Sequence, residues 1–405
     1  MSRTSRLVTQ GFAGVAHSFA HLFVLLFATV VLVLEREWGM DYASLFALGI
    51  PMSILFGAGA LPAGWLGDRW SETGMMTVYF FGLGAATILT GFADGPASLS
   101  GGLALMGLFA SIYHPVGIPW LVRHAPNRGR ALGINGVFGS LGTAAAALVA
   151  GTLASYLSWR WAFFVPGAVC MSAGIVFVFA RRRGLFEATS TATSRISGER
   201  PAEGARRVFT VLAVTVLCTG MIYQMTSFAL PKIFAERLGA LFGDGVVGVA
   251  GMVTLVYLAS SLTQIVGGEF ADRFRLKTVY LTTQFLQVPV LLVAFALVHP
   301  ALVPVAALMI GLNVAGQPAE NALLARYTPA HWRGRVFGAK FMLTLGVSSF
   351  GVALIPIVYR MTGSLDSLFL AMTVLALAAG TAALRLPAGE GQAAPAPLPS
   401  RAPAE

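Results

Sequence analysis

Twelve apolar runs, each long enough to cross a lipid bilayer as a helix, follow one another along this chain with only short polar breaks. They fall near residues 8–34, 42–66, 75–93, 98–120, 132–157, 161–180, 208–231, 246–269, 278–297, 302–324, 337–360 and 366–384. A run of about 20 apolar residues spans the hydrocarbon, where every backbone N–H and C=O must be bonded within the protein. The pattern therefore predicts an all-α membrane protein with twelve transmembrane helices. Composition agrees: 56% of the 405 residues are apolar and 11% are charged, against roughly 25% charged in a soluble domain.

The net charge of +10 would suggest a nucleic-acid partner in a soluble chain, but its placement argues otherwise. Of the 27 Lys and Arg, only Arg36, Arg160, Lys232, Arg237 and Arg360 fall on one side of the spans. Lys340 lies inside a span, and the others fall at the termini, in the linker or in loops of the opposite side. This positive-inside asymmetry predicts a multi-pass protein of a bacterial-type inner (plasma) membrane with both termini cytoplasmic. Its basic loops face anionic lipid, with no nucleic acid as partner. Cys170 and Cys218 sit in spans and indicate no disulfide framework. The first run is too long for a cleaved signal, and a monomer is expected.

The runs divide into six plus six. Residues 1–180 read as an N-terminal six-helix bundle and 208–385 as a C-terminal one. Between them, 181–207 reads as a cytoplasmic linker opening on Arg181-Arg182-Arg183, and the Ala/Pro-rich 386–405 as a disordered cytoplasmic tail. Short patterns recur at an offset of 203 to 205 residues. Gly64-Trp-Leu-Gly-Asp68-Arg69 reappears as Gly268-Glu-Phe-Ala-Asp272-Arg273. Pro115…Arg123-His-Ala-Pro126…Arg128-Gly129-Arg130 reappears as Pro318…Arg326-Tyr-Thr-Pro329…Arg333-Gly334-Arg335. Two parallel six-helix repeats place a binding site near the midplane between them.

The doubled Gly-x-x-x-Asp-Arg between the second and third helix of each half resembles the signature loop of the major facilitator superfamily. In the first copy Ser71 and Glu72 replace the family's usual tail, while the second keeps Arg275 and Lys277. Trp159-Arg160-Trp161 before the sixth helix resembles the family's habit there. Tyr113-His114-Pro115, followed by Arg128-Gly129 and the glycines 133, 136, 139 and 142, is similar to fosmidomycin-resistance-type exporters. The resemblance implies alternating access, with Gly64, Asp68, Arg69, Gly268, Asp272 and Arg273 forming a cytoplasmic gate. The family's antiporters carry a Gly-Pro pair in the fifth helix, and here that place holds Ala146-Ala147.

Ionisable groups inside spans cost about 2.5–3.5 kcal/mol each at a helix centre, so the few present are functional candidates. They are His17, His21, His114, Glu269, Glu320 and Lys340. Glu269, Glu320 and Lys340 lie near span ends, where ion pairs lower that cost; Glu320 stands out because it follows Gln317-Pro318, the mate of Tyr113-His114-Pro115. His17 and His21, four apart, share one helix face. With no acid in the first helix before Glu35 and no Arg within the fourth, His17, His21 and His114 are the expected proton and substrate-anion site. Tyr113, Asn135, Tyr223, Gln224, Asn313 and Gln317 are further candidates for its polar lining. Shifting the histidine pair by the repeat offset gives Met221 and Met225, so His17, His21, Met221 and Met225 form an alternative set for a soft metal.

The reading is a secondary transporter that moves a small amphipathic organic molecule outward in exchange for protons, without a cofactor. Alternatives are uptake of a transition metal, metal complex or small carboxylate, a haem-binding redox protein on the same histidines, and a sensor without flux. No Gly-x-x-x-x-Gly-Lys-Ser/Thr loop occurs, which disfavours ATP-driven pumping.

Overall fold

The computed structural model describes residues 3–125, 128–186, 204–242, 245–329 and 333–387. Among them, twelve helices are long and apolar enough to cross a membrane: α1 Thr4–Trp38, α2 Tyr42–Arg69, α3 Glu72–Gly91, α4 Pro96–His124, α5 Arg130–Tyr156, α6 Trp161–Arg182, α7 Ala205–Leu241, α8 Val246–Arg273, α9 Leu276–Ala296, α10 Leu302–Tyr327, α11 Val336–Thr362 and α12 Asp366–Ala383. The chain is an all-α, multi-pass integral membrane protein, as the run lengths require. Large apolar side chains such as Ile265, Phe350 and Val374 cover the outside, a surface that only lipid would solvate. Most of the linker expected at 181–207 and nearly all of the tail expected at 386–405 lie outside the described residues.

Four helices depart from regularity: α2 breaks at residues 48–49 and at Gly59, and two others break at the proline-bearing segments that the repeat pairs. In α4 the backbone widens into a π turn over Tyr113–Gly117, where Pro115 offers no N–H to the helix. Its counterpart α10 breaks at Gly316, between Leu302–Ala315 and Gln317–Tyr327. The fourth is α11, which carries a π turn over Met342–Val347. Such turns interrupt the backbone ladder and cluster at functional sites.

Helix α1 is held against α5 and α3 by polar links to backbone: Ser18 Oγ donates to the Phe138 carbonyl at 2.6 Å and Tyr79 Oη to that of Ala16 at 2.7 Å. A Cβ at Gly142 would sit 2.1 Å from the Ser18 carbonyl oxygen, so α1 reaches this depth only because α5 carries glycine there. Lipid gives no hydrophobic drive for helix association, and close approach supplies the packing instead. The halves meet along α1 with α7, α5 with α8, and α2 with α11. On the last seam a Cβ at Gly57 would fall 2.4 Å from the Gly346 Cα. Thr254 of α8 also donates to the Ala144 carbonyl of α5 at 2.7 Å. The face where α1 begins and α12 ends is called the terminal face below, and the opposite one the far face.

Candidate functional site

Three histidines meet in the N-terminal half. His17 and His21 stand one turn apart on α1, with their Nε2 atoms 3.2 Å apart. His114, on the π turn of α4, sets its ring edge-on to both, with centroids 5.3 Å and 5.5 Å away. The nearest imidazole nitrogens of the three all lie within 4.8 Å of one another. From α5, the Asn135 carbonyl lies 2.7 Å from His17 Nδ1. A carbonyl only accepts, so in the tautomer that bonds it His17 carries its proton on Nδ1 and turns its Nε2 lone pair toward His21; the Asn135 amide Nδ2 lies 3.1 Å from the same Nδ1 and would donate to it in the other tautomer. Tyr113 stacks on His17 at 5.0 Å and donates to Asn135 Oδ1 at 2.7 Å, holding that side chain in place. Gly139 lies under the His17 ring, where a Cβ would come within 2.6 Å. His17 and His21 are half-buried, while His114 exposes 7% of its surface and neither of its ring nitrogens has a hydrogen-bond partner among the described residues. Its ring lies between Phe56 of α2 and Phe341 of α11, stacked on the latter at 5.6 Å across the halves.

A second polar centre fills the C-terminal half. Glu320 of α10 is the one fully buried carboxylate among the described residues. It accepts from Tyr280 Oη of α9 at 2.7 Å and pairs with Lys340 Nζ of α11 at 2.6 Å. Lys340 also donates to Asn321 Oδ1 at 2.5 Å. About two turns away along α9 and α10, Asn313 Nδ2 donates to Gln287 Oε1 at 3.3 Å and to the Thr219 carbonyl at 3.2 Å. Tyr280, Thr283, Gln284 and Gln287 are spaced three and four apart, so α9 turns one polar face onto this network.

The two faces of the bundle are closed differently. At the far face Lys232 of α7, 8% exposed, donates to both carboxylate oxygens of Glu35 on α1, at 2.7 Å and 2.9 Å. It lies 3.6 Å from Glu236 and over the rings of Tyr42 and Tyr359, and Tyr359 Oη donates to Glu236 at 2.9 Å. This strap joins α1 and α2 to α7 and α11. Asp41 beside it accepts from the Ser44 backbone N–H at 2.9 Å, and the bonds from Ser44 hold its carboxyl below the usual range. At the terminal face Asp68, Arg69, Asp272 and Arg273 of the signature loops are exposed. Arg123 bonds Glu72 with Asp68 nearby, Arg69 lies over Trp65, and Arg273 pairs with Glu269. Gly64 packs against Pro115, Gly268 faces open space and Asp272 is exposed. Each of these ion pairs joins two residues of the same half.

The other candidates lie apart from the histidines. Tyr223 bonds Thr143 of α5 across the halves and Ser227 on its own helix. Gln224 is buried on α7, and Gln317 is half-buried where α10 restarts. Met221 and Met225 flank Gly351 of α11. Sequence reasoning passed over Tyr280, Phe341 and the far-face strap. It counted Lys232 only as a loop-side cation. The Lys232–Glu236 spacing of four was a visible signal, but Glu35 lies 197 residues away.

Comparison with known proteins agrees with this architecture. The model of the Major Facilitator Superfamily matches residues 12–253 and 212–402. The chain belongs to the major facilitator superfamily, a family of transporters rather than enzymes. Puromycin resistance protein pur8 of Streptomyces alboniger is 32% identical over 161 residues, and the D-galactonate transporter of Escherichia coli 27% over 140. These matches cover 38% and 34% of the chain, and 32% of either relative. Among solved structures, the peptide transporter POT with sulfate superposes with TM-score 0.72 at 18% identity, covering 94% of this chain and 95% of that one. An inward-facing, occupied bacterial homologue of the human lysosomal transporter Spinster gives 0.70 at 13%, covering 95% of each. At these identities they show the fold alone.

Proposed function

We propose that this protein is a secondary-active carrier that moves a small organic molecule out of the cytoplasm by alternating access, in exchange for protons. The observation that carries the reading is the asymmetry of the two faces. The far face is strapped shut across the halves by Lys232 and Glu35, while the ion pairs described at the terminal face stay within their own halves. With the termini cytoplasmic, as the positive-inside rule directs, this is a carrier of the inner membrane facing inward. A monomer suffices, because both halves of the pathway come from one chain. The latch expected of Asp68 and Asp272 would then form in the opposite, outward-facing state.

In this reading His17, His21 and His114, with Tyr113 and Asn135, bind the cargo, and Glu320 takes the coupling proton. Protonation of Glu320 would release Lys340, a change that the neighbouring Tyr280 and Asn321 could follow. Similarity to a puromycin resistance protein supports export of an amphipathic molecule. The Tyr113-His114-Pro115 and glycine pattern supports a fosmidomycin-resistance-type exporter. Similarity to a D-galactonate transporter favours the second reading, uptake of a small carboxylate.

The test is transport into proteoliposomes under an imposed pH gradient, with puromycin and D-galactonate as probes. Wild type should accumulate one of them against its gradient. Glu320→Gln should still exchange it but lose accumulation. Gradient-driven accumulation by Glu320→Gln would remove the proton from Glu320, and absence of flux for a range of drugs and carboxylates would contradict the carrier reading.

A further inference from the structure

We infer that His17, His21 and His114 form a binding site for a first-row transition-metal cation of the zinc, nickel and copper class, with one coordination position left open. The inference rests on the reading of the histidines as the cargo centre, but binding itself requires no transport.

The donor geometry suits such an ion. Metal–imidazole bonds of about 2.0–2.1 Å place the nitrogens of a tetrahedral site about 3.3–3.4 Å apart. The Nε2 atoms of His17 and His21 are separated by 3.2 Å, one edge of that tetrahedron. The donor atoms of the trio lie within 4.8 Å of one another, so His114 closes the site by a small shift of its ring. The outer contacts have the form that metal-bound histidines require. His17 donates through Nδ1 to the Asn135 carbonyl, which directs its Nε2 lone pair inward. Tyr113 stacks on the same ring and fixes the Asn135 side chain.

A second, independent observation is His114 itself. It is more than nine-tenths buried, it stands edge-on to both other rings, and neither nitrogen has a hydrogen-bond partner among the described residues. Packing alone gives no reason for an imidazole there, since its neighbours Phe56 and Phe341 would suit another aromatic ring. A cation bound at one of its nitrogens does.

The chemistry of the set narrows the ion. Three imidazoles with no carboxylate among them fit zinc, nickel or copper and not magnesium or calcium, which take oxygen ligands. Three protein ligands leave a fourth position, and His21 is the least enclosed of the three. Water or an organic chelator would complete the site, so the ion could enter free or as a complex. Because Phe341 of the other half stacks on His114, rocking of the halves would change the third ligand's surroundings and hence the affinity.

The experiment uses the untagged, full-length protein in detergent, titrated with Zn2+, Co2+ and, as control, Mg2+. One Zn2+ or Co2+ per chain is expected, with no effect of Mg2+. X-ray absorption on wild type should show about three imidazole nitrogens at about 2.0 Å, a readout that needs no variant to fold. His114→Gln and His21→Gln should each weaken Zn2+ by tenfold or more. Tyr113→Phe, which acts only through Asn135, should weaken it by about tenfold. Titration with Zn2+ preloaded on citrate or free histidine separates the two sources: tighter binding than free Zn2+ identifies a chelate, and weaker binding the bare ion. No stoichiometric metal in either form, an oxygen-only shell, or binding untouched by His114→Gln would overturn the proposal. Puromycin flux persisting in metal-free protein would then leave the carrier reading intact.

Discussion

His114 and Glu320 occupy corresponding stretches of α4 and α10, each beside a proline where its helix is interrupted, yet their surroundings differ in kind. Glu320 is completed on the spot by Tyr280 and Lys340. His114 is buried among aromatic rings and histidines with both nitrogens unmatched. A buried polar group without a partner costs about 1–3 kcal/mol. The difference teaches that the repeat conserves the kinked scaffold and lets each half spend its polar groups differently. The C-terminal half pairs its buried charge on the spot, with only the Gln284 Nε2 left unmatched in that network, and the N-terminal half leaves a buried imidazole open to a ligand.

The sharpest way to break the comparison is to open the closed centre. Glu320→Ala strands the Lys340 ammonium and should cost about 3–5 kcal/mol, read by denaturation in a mild detergent. Glu320→Met combined with Lys340→Met should recover most of that loss. Equal damage from the single and double changes would mean that the pair is not the unit argued here.

Next in size is the packing that brings α1 to the histidine centre. Gly142→Ala pushes a methyl into the Ser18 carbonyl and should cost about 1–3 kcal/mol, whereas Gly136→Ala meets open space and should be close to neutral. The two thermal shifts, measured side by side, show whether the N-terminal centre depends on backbone approach.

The strap comes third, since it joins the halves that carry the two centres. Lys232→Met leaves Glu35 and Glu236 facing one another and should move the population toward a far-open form by about tenfold, roughly 1.4 kcal/mol. Distances between spin labels at Glu37→Cys and Met361→Cys would report it as a longer component.

The smallest effect concerns Asp41, whose carboxylate caps the first turn of α2. Its folded value is depressed by the bonds from Ser44. Its contribution is therefore present above the ordinary carboxylate range and is lost as pH falls through the lowered folded value. Asp41→Ala should cost about 0.5–1 kcal/mol near neutrality, with the difference from wild type vanishing in acid.

Much of this was legible before any coordinates. The twelve spans follow from run length, because hydrocarbon enforces a helix wherever about 20 apolar residues run together. His17 and His21 were legible as a pair from their spacing alone. Their meeting with His114 required the packing of α4 on α1, and the orphaned state of His114 is a property of three-dimensional surroundings. The Glu320–Lys340 pair was foreshadowed only as two charges near span ends. The far-face strap was missed because Glu35 and Lys232 belong to different repeats, and a charge count assigns each of them to a loop.

The most direct test of the central claim is the stability of His114→Phe measured beside wild type, with and without Zn2+. If the N-terminal centre is left open for a ligand, removing two unmatched nitrogens should raise stability by about 1–2 kcal/mol while abolishing the Zn2+-dependent shift seen in wild type. A loss of stability comparable to that of Glu320→Ala would contradict the account, because His114 would then be a satisfied structural group like its counterpart.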